Sequence, residues 1–118
     1  MADIEIDATI DIDGVDLSPI LVDNGPIERK EIFWHYPHYH GSGWAPGAAI
    51  RQGDWKLIEF YDSETVELYN LKDDISETND LSLKEPEKVI ALQNRLHNLQ
   101  NSVNAKYPSS NPEYKAEK

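Results

Sequence analysis

The strongest periodicity in the chain lies near its carboxy end, where Val89, Leu92, Leu96, Leu99 and Val103 recur at three- and four-residue spacing. That spacing places them on one stripe and predicts an amphipathic helix over "PEKVIALQNRLHNLQNSVNAK". Pro86 suits the first turn of such a helix, Glu85 and Glu87 suit the positive end of its dipole, and Pro108 follows its far end. Upstream the period falls to two. "EIFWHY" (31–36) is β-branched and aromatic and predicts a strand that Pro37 terminates, because proline cannot donate to a central ladder. "AAIRQGDWKLIEFY" predicts a hairpin: Ala48 to Arg51, a turn through Gln52, Gly53 and Asp54, then Trp55 to Tyr61. Trp55, Leu57, Glu59 and Tyr61 alternate there with Lys56, Ile58 and Phe60, so both faces carry bulk. "DSET" makes the next turn and "VELYNL" a further strand. Short connections favour a meander. The expected fold is therefore α+β, a three- or four-stranded antiparallel sheet packed against one carboxy-terminal helix.

The flanks are less regular. Residues 1–30 alternate short apolar groups with Asp and end in "DNGP", which predicts an extended, partly disordered segment closed by a turn at Asn24, Gly25 and Pro26. The α+β unit is expected over 31–106, and 107–118 as an extended tail. At 118 residues the chain fits one small core. Acidic residues outnumber basic ones 22 to 11 without a basic stripe, so nucleic acid and anionic membranes are poor partners. No apolar run approaches the roughly 20 residues of a membrane span, and the acidic amino terminus does not read as a signal peptide. Without cysteine the chain has no disulfide, thiolate metal site or cysteine nucleophile.

Candidate chemistry concentrates in residues 32–60, which hold three of the four histidines and all three tryptophans. "PHYHGSGWAPG" has three glycines and two prolines in eleven residues and predicts a loop between strands, where binding residues concentrate. His35, His38 and His40 invite a zinc site, but their spacing is not a helical pair and no carboxylate lies in the loop to orient them. Trp34 and Trp55 read as core, whereas Trp44 sits among glycines and reads as exposed. "DIDGVDL" fails as a calcium loop, since its first and twelfth positions fall on Thr9 and Ile20. The Asp73–Asp74 pair reads as turn and cap residues rather than acid–base groups.

Taken in order, "DGVDLSPIL", "IFWHYPHYH", "AIRQGDWKLIEFY", "ELYNLKDDISETNDLS", an amphipathic helix and "NPEY" resemble the carboxy-terminal subdomain of the sulfatase (arylsulfatase-like) family, over about residues 10 to 114. The resemblance implies a small antiparallel sheet with a packed helix, as the periodicity does. It also implies a sulfuric ester hydrolase whose calcium and formylglycine belong to a large amino-terminal domain. The formylglycine motif Cys/Ser-x-Pro-x-Arg is missing here, Ser18 and Ser63 leading no such sequence. The chain is thus expected to complete the fold and substrate cleft of a sulfatase catalytic domain and to be inactive alone. By the same resemblance His38, His40 and Trp44 are expected to contact a sulfate ester, with His35 and Trp34 supporting the strand. Self-association and a periplasmic or secreted parent are further expectations. The rival readings are a free-standing glycan- or protein-binding module and a histidine–metal hydrolase.

Overall fold

In a computed structural model, which describes residue 9 and residues 13–113, the chain divides into two compact units, residues 1–30 and 31–118. The second unit carries the sheet. Its strands are β1 (Glu31–Tyr36), β2 (Gly47–Gln52), β3 (Trp55–Phe60) and β4 (Thr65–Asn70), all antiparallel in the order β1-β2-β3-β4. The meander follows from its short turns. Gln52 pairs with Trp55 across a two-residue turn in which Gly53 takes a φ of 59°, the left-handed value that a tight hairpin requires at its first central position. Gly47 has a different reason to be glycine: a Cβ there would sit 2.5 Å from the Glu59 carbonyl oxygen.

The pleat sorts side chains as the alternation predicts. Phe33, Ile50, Leu57 and Leu68 lie in one row across the four strands and face the helix α2 (Pro86–Ser102). Val89, Leu92 and Leu96 close over that row to form the main core, with Ile50, Leu57, Leu68 and Leu96 completely buried. Pro86 opens the helix, with Glu87 in its first turn, as expected. The stripe ends differently from its sequence expectation. Val103 lies beyond the last turn and is 58% exposed, and Gln100 takes the fourth buried position on the helix. The chain turns away at Asn104, whose φ is 52°, and the Ala105 N–H bonds back to the Gln100 carbonyl at 2.9 Å.

The segment 71–85 is a loop ordered by acidic caps, as its Asx pattern predicts. Asp74 accepts the backbone N–H groups of Thr78 and Asn79 and the Thr78 hydroxyl, and these bonds hold its carboxyl below the usual range. Asp73 belongs to the same turn, its N–H bonding to the Asn70 carbonyl. Asp80 reaches the outer edge of β4 and accepts the Leu68 N–H at 3.0 Å, while the Leu81 N–H donates to the Leu68 carbonyl at 2.8 Å. These contacts satisfy edge groups that a neighbouring strand would otherwise satisfy.

The first unit corrects one expectation. Ser18–Asp23 is a short helix, α1, rather than extended chain. Pro19 at its start fixes φ, the Asp16 carboxylate accepts the Ser18 N–H at 2.8 Å, and left-handed Asn24 stops it with a bond from Gly25 N–H to the Pro19 carbonyl. Six residues are too few for helical periodicity to register. Within this unit Leu17, Ile20, Leu21 and Val22 are all exposed. The expected disorder at the extreme amino terminus lies outside the described residues.

Candidate functional site

The candidate loop runs from Pro37 to Pro46, between β1 and β2. It is tied to itself. The His40 N–H donates to the Trp44 carbonyl at 3.1 Å, the Gly43 N–H donates to the His40 carbonyl at 3.0 Å, and Gly43 adopts a φ of 90°. His40 Nδ1 accepts the Ser42 N–H and lies 2.8 Å from its hydroxyl. Tyr36 supports the loop from the strand end, its ring edge-on to both His38 and His40. From the same loop the Tyr39 hydroxyl donates to the Asp62 carboxylate, which fastens it to the β3–β4 turn.

The three residues expected to contact substrate do not converge. His38 lines a groove of about 720 Å³ whose walls are the loop (Pro37, Tyr39, Pro46), the β3–β4 turn (Tyr61, Asp62) and the tail from Pro108 to Asn111. His40 points elsewhere, towards Ser42 and Tyr36. Trp44 folds back over the sheet face away from α2, where its ring lies 5.7 Å from that of Phe60. There it lines a hollow of about 210 Å³ with Trp34, Ala49, Lys56 and Ile58. Trp44 is thus half-buried, against expectation, because the loop is short enough to press its one large apolar ring onto the sheet. Trp34, expected in the core, is 48% exposed, because the strand alternation turns it to the face away from α2. Trp55 faces the core, with the Lys88 ammonium 5.1 Å from its ring centroid.

His35 has a structural role. Its Nε2 meets the Lys106 carbonyl at 2.9 Å, an acceptor only, so Nε2 carries the proton. Nδ1 then accepts from the Tyr61 hydroxyl at 2.7 Å, Tyr61 oxygen accepts from Gln100 Nε2 at 2.8 Å, and Gln100 Oε1 accepts from the Tyr107 hydroxyl at 2.8 Å. The rings of His35, Tyr61 and Tyr107 also pack edge-on or tilted against one another. Burial, against which the Gln100 bond works, pushes the Tyr61 phenol up to about 12, and burial followed by the charge of Glu59 raises Tyr107. This network straps residues 106 and 107 to the body of the unit. Tyr114 and the residues after it lie outside the described residues.

No three histidines gather. Among the described residues no group of three or more His, Asp or Glu side chains is arranged to hold a metal. His97, the fourth histidine, bonds Glu59 at 2.9 Å instead. No described helix is long and apolar enough to cross a membrane. Sequence reasoning missed Tyr61, Asp62 and residues 108–111 as groove residues. Tyr61 and Asp62 read as strand end and turn, and nothing in the tail's spacing signals that it returns to the sheet.

Comparison with known proteins gives this geometry a family. The family model described as "N-sulphoglucosamine sulphohydrolase, C-terminal" matches residues 1–106. A sulfatase of Formosa agariphila is 32% identical over 83 residues, covering 64% of this chain and 15% of the relative. Among solved structures, BT4656 in complex with its substrate D-glucosamine-2-N,6-O-disulfate superposes with a TM-score of 0.67 at 29% identity, over 89% of this chain and 22% of that one. A second, BT33336S-sulf, from a core genetic locus for glycosaminoglycan metabolism in Bacteroides thetaiotaomicron, gives a TM-score of 0.52 at 25% identity over 62% of this chain. The chain therefore spans about a fifth or less of the sulfatases it resembles, and it belongs to the family of carboxy-terminal sulfatase subdomains.

Proposed function

We propose that this chain completes a sulfatase catalytic domain, packing on it and lending its loop end to the cleft that receives a sulfated sugar. The observation that carries the reading is the family match over residues 1–106. The open sheet face supports it: Ile32, Trp34 and Tyr36 are 37%, 48% and 42% exposed beside Trp44, Phe60 and Ile58, an aromatic surface of the kind that marks an interface. Helix α1, taken by itself, presents a second set of uncovered apolar side chains.

The chemistry of ester cleavage belongs to the partner. Calcium and formylglycine do not fit the residues present, because the chain has no cysteine or formylglycine motif and its described residues assemble no carboxylate cluster. The substrate of BT4656, an amino sugar disulfate, suggests the ligand class: a sulfated hexosamine of a glycan. In this reading His38, His40 and Trp44 meet that glycan at separate points along one loop, His38 from the groove and Trp44 from the sheet face.

The test is hydrolysis of an aryl sulfate with calcium present, by the chain alone and after mixing with a separately expressed catalytic domain of a related sulfatase. Activity restored only in the mixture is expected. Turnover by the purified chain alone, or a mixture no better than the catalytic domain, overturns the proposal.

A further inference from the structure

The groove beside His38 has a chemistry that differs from a sulfate site. Among the described residues, none of its lining side chains is a lysine or arginine, the groups that recognise sulfate and phosphate oxygens, and Asp62 is the one carboxylate on its wall. Asp62 lines the groove and uses Oδ2 to accept the Tyr39 hydroxyl, and its carboxylate has acceptor capacity beyond that one bond. Around it stand the rings of Tyr39 and Tyr61 and the ring faces of Pro37, Pro46 and Pro108. His38, Ser109, Ser110 and Asn111 supply donors and acceptors at the rim. Apolar ring walls with a few placed polar groups, in a volume within the roughly 300–1,000 Å³ of small-molecule sites, make a ligand pocket.

The tail wall of this groove is fastened from beneath. Gln100 is the one fully buried polar side chain among the described residues, and every bond it makes goes to Tyr61, Tyr107 or His35. Burying a carboxamide is unfavourable unless all its polar atoms are bonded, and here they are. The fold thus commits its most constrained polar group to holding Tyr107 in place, immediately before the wall residues Pro108 to Asn111. A gap left by loose chain would need no such anchor.

We propose that this groove is a subsite for an uncharged hexopyranose unit, which hydrogen-bonds through its hydroxyls to Asp62 and His38 and packs on Tyr61, and that Asp62 excludes a sulfated ring. The choice of a sugar rests on the subdomain reading above, and the inference deepens that reading by separating the sulfate-bearing ring from an unsulfated neighbour. Gln100 and Tyr107 act as positioning residues.

The experiment is an amide NMR titration of the intact chain with N-acetyl-D-glucosamine and, separately, with its 6-O-sulfate. The uncharged sugar is expected to shift the signals of Tyr39, Tyr61, Asp62, Ser109 and Ser110 saturably, and the sulfated one to bind about tenfold more weakly. Asp62→Asn should narrow that gap, and Tyr107→Phe should weaken the uncharged sugar while leaving the core signals of Ile50, Leu57 and Leu96 in place. Absence of groove shifts with the uncharged sugar, or equal or tighter binding of the sulfated one by the unaltered chain, overturns the proposal without any variant. Its failure is distinct from that of the subdomain reading: a chain that restores a catalytic domain yet ignores the sugar loses only the groove, and one that binds the sugar but restores nothing loses only the subdomain role.

Discussion

The two faces of the sheet are made from the same four strands and end in opposite conditions. On one, Phe33, Ile50, Leu57 and Leu68 are closed off by α2, and the polar atoms trapped there are bonded. On the other, Ala49, Ile58 and Tyr69 pack against Trp44, Phe60 and Leu71, and Ile32, Trp34 and Tyr36 are exposed along β1. Apolar area on the first face stabilises the isolated chain, and the same area on the second becomes useful only when a partner removes it from water. A sheet covered by a helix on one face alone fits the proposed role of a subdomain that packs on a catalytic domain.

Substitutions can break that comparison, and the largest effect belongs to the covered face. Leu96→Ala, in the completely buried seam between helix and sheet, should cost about 2–5 kcal/mol in chemical denaturation, whereas Trp34→Ala should cost under about 1 kcal/mol. Equal losses would mean that the chain covers its open face itself, by self-association. Next comes Gly47→Ala, which drives a methyl group onto the Glu59 carbonyl; the β2–β3 pairing must shift, and a loss of about 1–3 kcal/mol is expected. Tyr107→Phe leaves Gln100 Oε1 without its donor, which should cost about 1–3 kcal/mol and increase amide exchange at Lys106 and the tail.

The pH response is a smaller effect with a defined sign. Tyr61, on the covered face, and Tyr69, on the open one, are both pushed up to about 12, first by burial, so folding favours their neutral phenols. Their contribution is fully present below the ordinary tyrosine value near 10 and is lost as pH rises through about 12, so denaturant midpoints should fall over that window. Docking of a catalytic domain should raise Tyr69 further and leave Tyr61 where it is, read by phenolate absorbance. The smallest effect on stability is the most informative about partners: Trp34→Ala should leave the melting temperature nearly unchanged and reduce any concentration-dependent sedimentation.

The regular elements were legible because their patterns are long or paired. The alternation in 55–61 names the two faces, and the spacing of Val89, Leu92 and Leu96 names the helix and its buried side. Gln100 was not legible, since a buried carboxamide looks in sequence like a solvated one until its partners Tyr61 and Tyr107, 39 residues before it and 7 after it, are brought beside it. The same limit applies to the candidate site. The loop was identifiable from its glycines and histidines, but the far wall of the groove comes from the tail, and only tertiary packing brings Ser109 and Asn111 opposite His38. Trp34 and Trp44 exchanged roles for a local reason: strand register turned the first outward, and the tight loop folded the second inward.

The carboxylate of Asp80 on the Leu68 N–H, with Leu81 beside it, makes the sheet one-sided in a second sense. Those bonds leave Leu68 nothing to offer another strand, so among the described strands templated growth of misassembled chains is expected to begin at β1, which also carries the exposed Trp34 and Tyr36. The β1 hexapeptide is accordingly the segment at which Trp34→Lys is expected to act as a gatekeeper against fibre formation when the chain is heated or overproduced.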